Sequence, residues 1–431
     1  MSKTQYFQFQ PFNVGRFLVW GGFALLLIVA PLIFKSSLAL TVLSQIGYMI
    51  IICLSYNVLL GQGGMLSFGH AVYTGLGAFF AIHALNMVSD GKLPIPVSLI
   101  PIVGGIAGAG VAMLLGWVTT KKAGNTFAMI TLGVGELVFA MSLMFSGFFG
   151  GEGGVSGNRV VGQSFFGITF GPAMQVYYLI AAYCFVCTAL MFMLTRTPLG
   201  RMLNAVRDNP ERVEFVGYNT QVVRYIAFII AGFFAGIGGG LTAINFEIVT
   251  AESVGAARSG GYLLFTFLGG ASFFFGPIIG AVLAVLAFVL LSELTKAWLL
   301  YLGIVFLVMV MFAPGGISSL IMMNIRVAAF KKWSRLALSY VGLILTTAIW
   351  LVGLAALIEM IYHVQLQAGL SDTIKFMGQE LNVTQSSTWI GAAALLVVGG
   401  ALFELVRRRF KEKWDDIQSE IEKEIHRRGA A

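Results

Sequence analysis

The sequence is short of charge. Of its 431 residues only 11% are Asp, Glu, Lys or Arg, while 58% are hydrophobic. Soluble domains carry about 25% charged residues, so this chain is not built to face water on all sides. Cysteine is scarce as well: Cys53, Cys184 and Cys187 all lie in apolar runs, where they act as small buried hydrophobes and not as a disulfide framework. His70 and His83 lack ligand spacing, so neither a metal nor any cofactor is expected. No G-x-x-x-x-G-K-[ST] phosphate loop occurs, because Gly91-Lys92 is followed by Leu93. H-E-x-x-H and G-x-S-x-G are missing too. Gly236-Ile-Gly-Gly-Gly240 sits inside an apolar run, which removes it as a dinucleotide turn. No enzyme activity of its own is expected.

Long apolar runs take the place of these motifs. They lie near 17–34, 38–60, 66–88, 97–119, 126–148, 174–195, 225–247, 259–291, 298–313, 337–362 and 388–406. Runs of this length define an all-α, polytopic integral membrane protein with about 10–12 membrane segments. The 53 glycines suit helices whose backbones touch, as at Gly104-xxx-Gly108, Gly236-xxx-Gly240 and Gly276-xxx-Gly280. The run from Phe17 to Phe34 is longer than a signal-peptide core and has no small-x-small cleavage site, so it is expected to remain as the first helix. The net charge of +8 sits in short loops and flanks. Membrane topology accounts for it without nucleic acid.

Placing the arginine-rich 196–224 loop inside fixes an orientation with both chain ends in the cytoplasm. Lys35, Lys92, Arg159, Arg258, Lys296 and Lys375 then fall outside, and the other basic residues inside. This requires 259–291 to enter and return, breaking at Gly269-Gly270 and Gly276-Pro277. A re-entrant pair of half-helices is tolerated where its break is buried in protein or lines a cavity.

The polar island from Pro198 to Asn219 is not needed to cross a bilayer. Leu199, Met202, Leu203 and Val206 recur at helical spacing behind Pro198. Asn209-Pro210-Glu211 supplies a cap, a first-turn proline and an acid; Val213 and Val216 follow, and Gly217 stops the helix. Two short helices on the cytoplasmic membrane surface are expected, seated through the apolar positions. Arg201, Arg207, Glu211 and Arg212 are left for polar contacts.

A second polar interruption runs from Asn57 to His70. Its glycines with Asn57, Gln62, Ser67 and His70 make a poor lipid-facing helix and a suitable lining for a wet, bent passage. Tight helix packing alone is the competing explanation. Glu136 lies within a span, where a carboxylate faces either a pathway or a structural partner.

These residues match a family. Leu54-Ser-Tyr-Asn-Val-Leu-Leu-Gly-Gln-Gly-Gly-Met-Leu-Ser-Phe-Gly-His70 resembles the signature of the permease subunits of branched-chain amino-acid ABC importers. So do Thr131-Leu-Gly-Val-Gly-Glu136, Gly150-Gly-Glu-Gly-Gly-Val-Ser-Gly157, Leu268 to Gly280 and Ala313-Pro-Gly-Gly-Ile317. The resemblance is closer to the LivM type than to the LivH type. It implies that Leu199, Arg201, Met202, Arg207, Asn209, Glu211, Val213, Val216 and Gly217 receive cytoplasmic ABC ATPase subunits. It further implies a second permease (LivH type), an extracytoplasmic substrate-binding protein and a bacterial inner-membrane location. The substrates it implies are branched-chain or other hydrophobic amino acids, with urea or another small polar solute as the alternative. Two other classes remain beside it. A secondary transporter would use charges such as Glu136 and Glu247 for ion coupling, and a passive channel would leave the surface helices unexplained.

The resemblance divides the chain into a permease core, 1–316, and an extension, 317–431. The extension adds two spans and a charged tail. In that tail Val406, Phe410, Trp414, Ile417, Ile421 and Ile425 form one apolar stripe, and Arg407-Arg-Arg-Phe-Lys-Glu-Lys413 marks its root. A helix lying on the anionic inner leaflet is expected there.

Overall fold

The structure, a computed structural model, describes residues 14–161, 169–366, 373–376 and 379–429. Among these, ten helices are long and apolar enough to cross a membrane, or up to eleven if one bent pair is a single span. The fold is polytopic and all-α, as expected. Two small two-stranded sheets are its only departure among the described residues.

The chain divides into two compact units, 1–289 with 314–318 and 290–313 with 319–431. This differs from a cut at 316/317, because the helix at 298–312 groups with the extension. In the first unit the helices are α1 (Val14–Ile33), α2 (Ser37–Asn57), α3 (His70–Ser89), α4 (Ile100–Thr119), α5 (Gly124–Met144) and α6 (Ala173–Arg196). They continue as α7 (Pro198–Asp208), α8 (Pro210–Phe215), α9 (Thr220–Phe246), α10 (Ala256–Gly269) and α11 (Gly276–Leu286).

Glycine contacts hold the centre of this unit. A Cβ added at Gly236 in α9 would lie 2.2 Å from the Gly104 carbonyl of α4. One at Gly239 would lie 1.9 Å from the Thr74 carbonyl of α3. The three backbones therefore touch with no side chain between them. Such close approach supplies van der Waals contact where lipid removes the hydrophobic drive for helix association.

The expected break after Gly269 is present. A Cβ at Gly269 would meet the Gly276 carbonyl at 2.1 Å, and one at Gly280 the Phe265 carbonyl at 2.0 Å. Helices α10 and α11 thus fold back along each other as a hairpin.

At the other end of the unit, β1 (Val155–Ser156) pairs antiparallel with β2 (Ile248–Val249). Arg159 secures this end. Its guanidinium donates to the Asn245 carbonyl (3.1 Å) and the Phe170 carbonyl (2.9 Å), and its backbone N–H donates to Glu247 Oε1 (2.8 Å). Cation and carbonyl dipoles at the end of α9 reinforce each other. Glu247 is therefore paired (N–O 3.7 Å) at a helix end and is not a lone charge within a span.

The second unit holds α12 (Trp298–Phe312), α13 (Gly316–Ala329, from Ser319 on), α14 (Ser334–Leu366), a β3–β4 hairpin (Thr373–Phe376, Gln379–Asn382) and α15 (Ser386–Gly429). Helices α12 and α13 meet at a 50° bend. Helices α14 and α15 pack closely: a Cβ at Gly353 would lie 2.5 Å from Leu396 N, and one at Gly399 2.8 Å from Trp350 N. Glu359 accepts from Tyr301 Oη (3.1 Å) and from Thr295, tying α14 to the start of α12.

The tail corrects an expectation. Crossing the bilayer takes about 20 residues, so α15 leaves it near residue 406 and continues unbroken. Its apolar stripe is not free to lie on a membrane. Ile417 and Ile421 are buried against Val327 and Leu336, with Phe330, Tyr340, Phe410 and Trp414 around them. Glu420 accepts from Lys332 and lies 3.3 Å from Arg335. An amphipathic period establishes that one face is covered; it does not say by what.

Candidate functional site

The polar island folds as two capped helices. Thr197 Oγ1 accepts from Gly200 N (3.2 Å) ahead of Pro198, and Asn209 Oδ1 accepts from Arg212 N (3.1 Å) ahead of Pro210. Both caps satisfy amides that a first turn leaves open. Gly217 stops α8 at φ +95°, a conformation costly for side-chain-bearing residues. Glu214 accepts from Thr220 Oγ1 at 2.8 Å, fastening α8 to the start of α9.

Burial separates two roles among the expected coupling residues. Gly200, Leu203, Val206 and Val213 face inward, and Val213 keeps only 5% of its surface. Val213 is therefore part of the chain's own packing. Phe215 is 91% exposed, Val216 74% and Tyr218 49%. Sequence reasoning passed over Phe215 and Tyr218, because six residues are too few to set a helical period. Arg201, Arg207, Glu211 and Arg212 are exposed, whereas Leu199, Met202 and Asn209 are half-buried.

Helix α7 sits on the Asn57–His70 break. Helix α2 ends in a π-turn, Val58–Gln62, a form common at functional sites. Arg207 donates to the Gly61 carbonyl, and Asn204 Nδ2 donates to Gln62 Oε1 at 3.0 Å. A Cβ on Gly63 would lie 3.2 Å from Leu203 Cδ1. Gly64 has φ +63°, and a Cβ there would meet Arg207 Cγ at 2.7 Å, so both its backbone and its missing side chain are used. Asn204 was not among the expected site residues, since a polar residue on a polar face leaves no signal in the sequence.

On either side of the π-turn the polar residues turn inward. Asn57, Ser67 and His70 are 2%, 0% and 0% exposed. Ser55 Oγ lies 2.9 Å from His70 Nε2, and Tyr56 Oη donates to the Ser67 carbonyl at 2.8 Å. Asn57 Oδ1, Ser67 Oγ and His70 Nδ1 are buried without a hydrogen-bond partner among the described residues. Each such atom costs about 1–3 kcal/mol. The structure thus brings Asn57, Ser67 and His70 into one interior segment and leaves Gln62 half-buried beneath α7.

The segment reaches α5 on its far side. Phe68 N donates to Thr131 Oγ1 (3.1 Å), and a Cβ on Gly69 would lie 2.3 Å from the Thr131 carbonyl. Glu136, one turn further along α5, is exposed. Its neighbours Leu132, Leu137 and Met129 are exposed with it. A carboxylate on a face this apolar and at this depth does not belong against lipid.

A polytopic helical membrane protein with two capped surface helices seated on a broken, polar span has the layout of a transport subunit. Residues 38–315 match the family described as branched-chain amino acid transport system / permease component, and the chain belongs to that family. It is an ABC permease subunit. It is 28% identical over 292 residues to the high-affinity branched-chain amino acid transport system permease protein LivM of Escherichia coli (strain K12), covering 62% of this chain and 67% of LivM. The galactose/methyl galactoside import permease protein MglC of Salmonella typhimurium is 26% identical over 314 residues, 68% of this chain and 90% of MglC. The fructose import permease protein FrcC of Rhizobium meliloti is 26% identical over 220 residues, 47% of this chain and 59% of FrcC. No solved structure matches.

Proposed function

We propose that this chain is one of two permease subunits of a binding-protein-dependent importer in the bacterial inner membrane. Its substrates in this reading are branched-chain or other hydrophobic amino acids. Similarity to LivM supports that substrate class.

The observation carrying the assembly is the exposed Phe215–Val216–Tyr218 patch on otherwise polar helices. Apolar side chains this exposed beside Glu211, Arg212 and Glu214 fit a partner cleft with an apolar floor and a charged rim. The partner is a cytoplasmic ATPase, which supplies the energy. Asn209 and Gly217 shape the helix that presents the patch, and Leu199, Arg201 and Met202 extend it. The Glu136 face of α5 meets the second permease, and the passage runs along it. Asn57, Ser67 and His70 meet water or solute when the broken segment opens, a role supported by their unpartnered atoms. The pairing of 155–156 with 248–249, and the seating of α7 on 61–64, agree with placing those loops on common sides. Both chain ends are then cytoplasmic.

Similarity to MglC and FrcC favours a second reading, import of a sugar. The assembled transporter in vesicles, with ATP and binding protein, tests both against labelled leucine, galactose and fructose. ATP-dependent leucine uptake is the expected result. Galactose or fructose uptake moves the assignment to sugars. Ion-gradient-driven uptake by this chain alone would overturn the ABC reading.

A further inference from the structure

Three elements touch in series in the first unit, and their contacts make a continuous path. Helix α7 meets the segment 61–64 through Leu203, Asn204 and Arg207. That segment continues as a non-helical stretch to Phe68 and Gly69, which bear on Thr131 of α5. Helix α5 carries Glu136 on its exposed face.

Hydrogen bonds and close backbone approach hold both joints. At the first, a guanidinium donates to a π-turn carbonyl, and an amide–amide bond of 3.0 Å fixes the adjacent side chain. Hydrogen bonds from a charged donor are the stronger kind. The Arg207 side chain lies over Gly64, where a Cβ would come 2.7 Å from its Cγ. At the second joint a backbone amide bonds Thr131 at 3.1 Å, and Gly69 leaves no space for a Cβ. Between the joints the chain lacks a regular helical ladder, so it can pivot without unwinding a helix. The opposite side of the π-turn is closed as well, since a Cβ on Gly61 would lie 2.3 Å from the Ala271 carbonyl in the α10–α11 break.

We infer that residues 61–69 form a lever that carries a displacement of α7 to the Glu136 face of α5, with Asn204 and Arg207 as positioning residues that grip it. The inference rests on the reading of α7 and α8 as the ATPase-receiving helices. It goes further in naming the element that moves and the two side chains that move it.

The probe is a thiol reagent, so no substrate need be known. Leu137→Cys places a thiol on α5 beside the proposed passage, where the single chain leaves Leu137 58% exposed, while Cys53, Cys184 and Cys187 are buried. Maleimide labelling of the assembled transporter is compared with and without ATP and vanadate. In the otherwise unaltered chain the labelling rate should change by about fivefold or more, the lower range for coupled sites. Asn204→Ala and Gln62→Ala should each leave ATPase co-purification and hydrolysis intact and erase that change. Their combination should do no more than either alone, because they remove one contact. The exchange Asn204→Gln with Gln62→Asn, which keeps the combined reach, should restore it. Arg207→Lys should weaken the change without abolishing it.

Labelling at position 137 that ignores nucleotide in the unaltered chain would overturn the lever. So would a nucleotide response undiminished in Asn204→Ala and Gln62→Ala. If the ATPase fails to bind the unaltered chain, the coupling-helix reading falls first and the lever with it.

Discussion

Gly108 offers a test of how the core is held. A Cβ on Gly108 of α4 would lie 2.4 Å from the Gly232 carbonyl of α9, whereas ordinary contact begins at 3.4 Å. The helices must part by up to 1.0 Å, the difference of those two distances. Backbone atoms cannot rotate out of the way as a side-chain end can. Overpacking of this kind costs about 1–3 kcal/mol. Gly110, two residues along the same helix, has nothing within 4 Å of its Cβ position. Gly110→Ala should gain up to about 1 kcal/mol of helix propensity. The assay is thermal unfolding in detergent, read by a dye that reacts with Cys53, Cys184 and Cys187 as they become exposed. Gly108→Ala should lower Tm by roughly 2–12 °C, at about 2–4 °C per kcal/mol, and Gly110→Ala should not lower it. Equal melting of the two variants would refute the argument that glycine backbones carry the α4–α9 contact.

The surface helices should separate stability from assembly. Phe215→Asp leaves the melting of this chain unchanged and abolishes ATPase co-purification, whereas Val213→Glu buries a charge and lowers Tm. The reverse pattern would mean that Val213, not Phe215, meets the partner. Glu136→Leu should leave Tm nearly unchanged and reduce uptake; normal uptake would assign the carboxylate a structural role. In the tail, hydrogen bonding and charge from Lys332, then charge from Arg335, hold the Glu420 carboxyl below the usual range. Their contribution is present above the ordinary carboxylate pKa and is lost as pH falls through the depressed one. Proteolysis of the tail should therefore rise on acidification, and Glu420→Gln should flatten that dependence; an unaltered pH profile in Glu420→Gln would exclude this pair.

Where signals were local, the sequence was legible. Pro198, Asn209-Pro210 and Gly217 marked both surface helices to the residue, because caps and stops depend on adjacent atoms. Gly269-Gly270 and Gly276-Pro277 marked the hairpin for the same reason. What stayed hidden depended on distant neighbours. The stripe from Phe410 to Ile421 announced a covered face, but its cover comes from residues near 327–340. Asn204 became visible only beside Gln62, 142 positions away. The helix Trp298–Phe312 lies within the family's matched range, yet Glu359 of α14 binds Thr295 and Tyr301 and draws it into the second unit.

Helix α15 runs through 44 residues without a break, from Ser386 to Gly429. About 20 residues cross the bilayer, so the remaining 24 or so stand roughly 36 Å beyond it at 1.5 Å per residue. Hydrophobic mismatch is relieved by tilting, and a tilt change of about 10° would carry the free end some 6 Å sideways. The Lys332–Glu420 contact lies along that projecting half, where such a swing would first be felt.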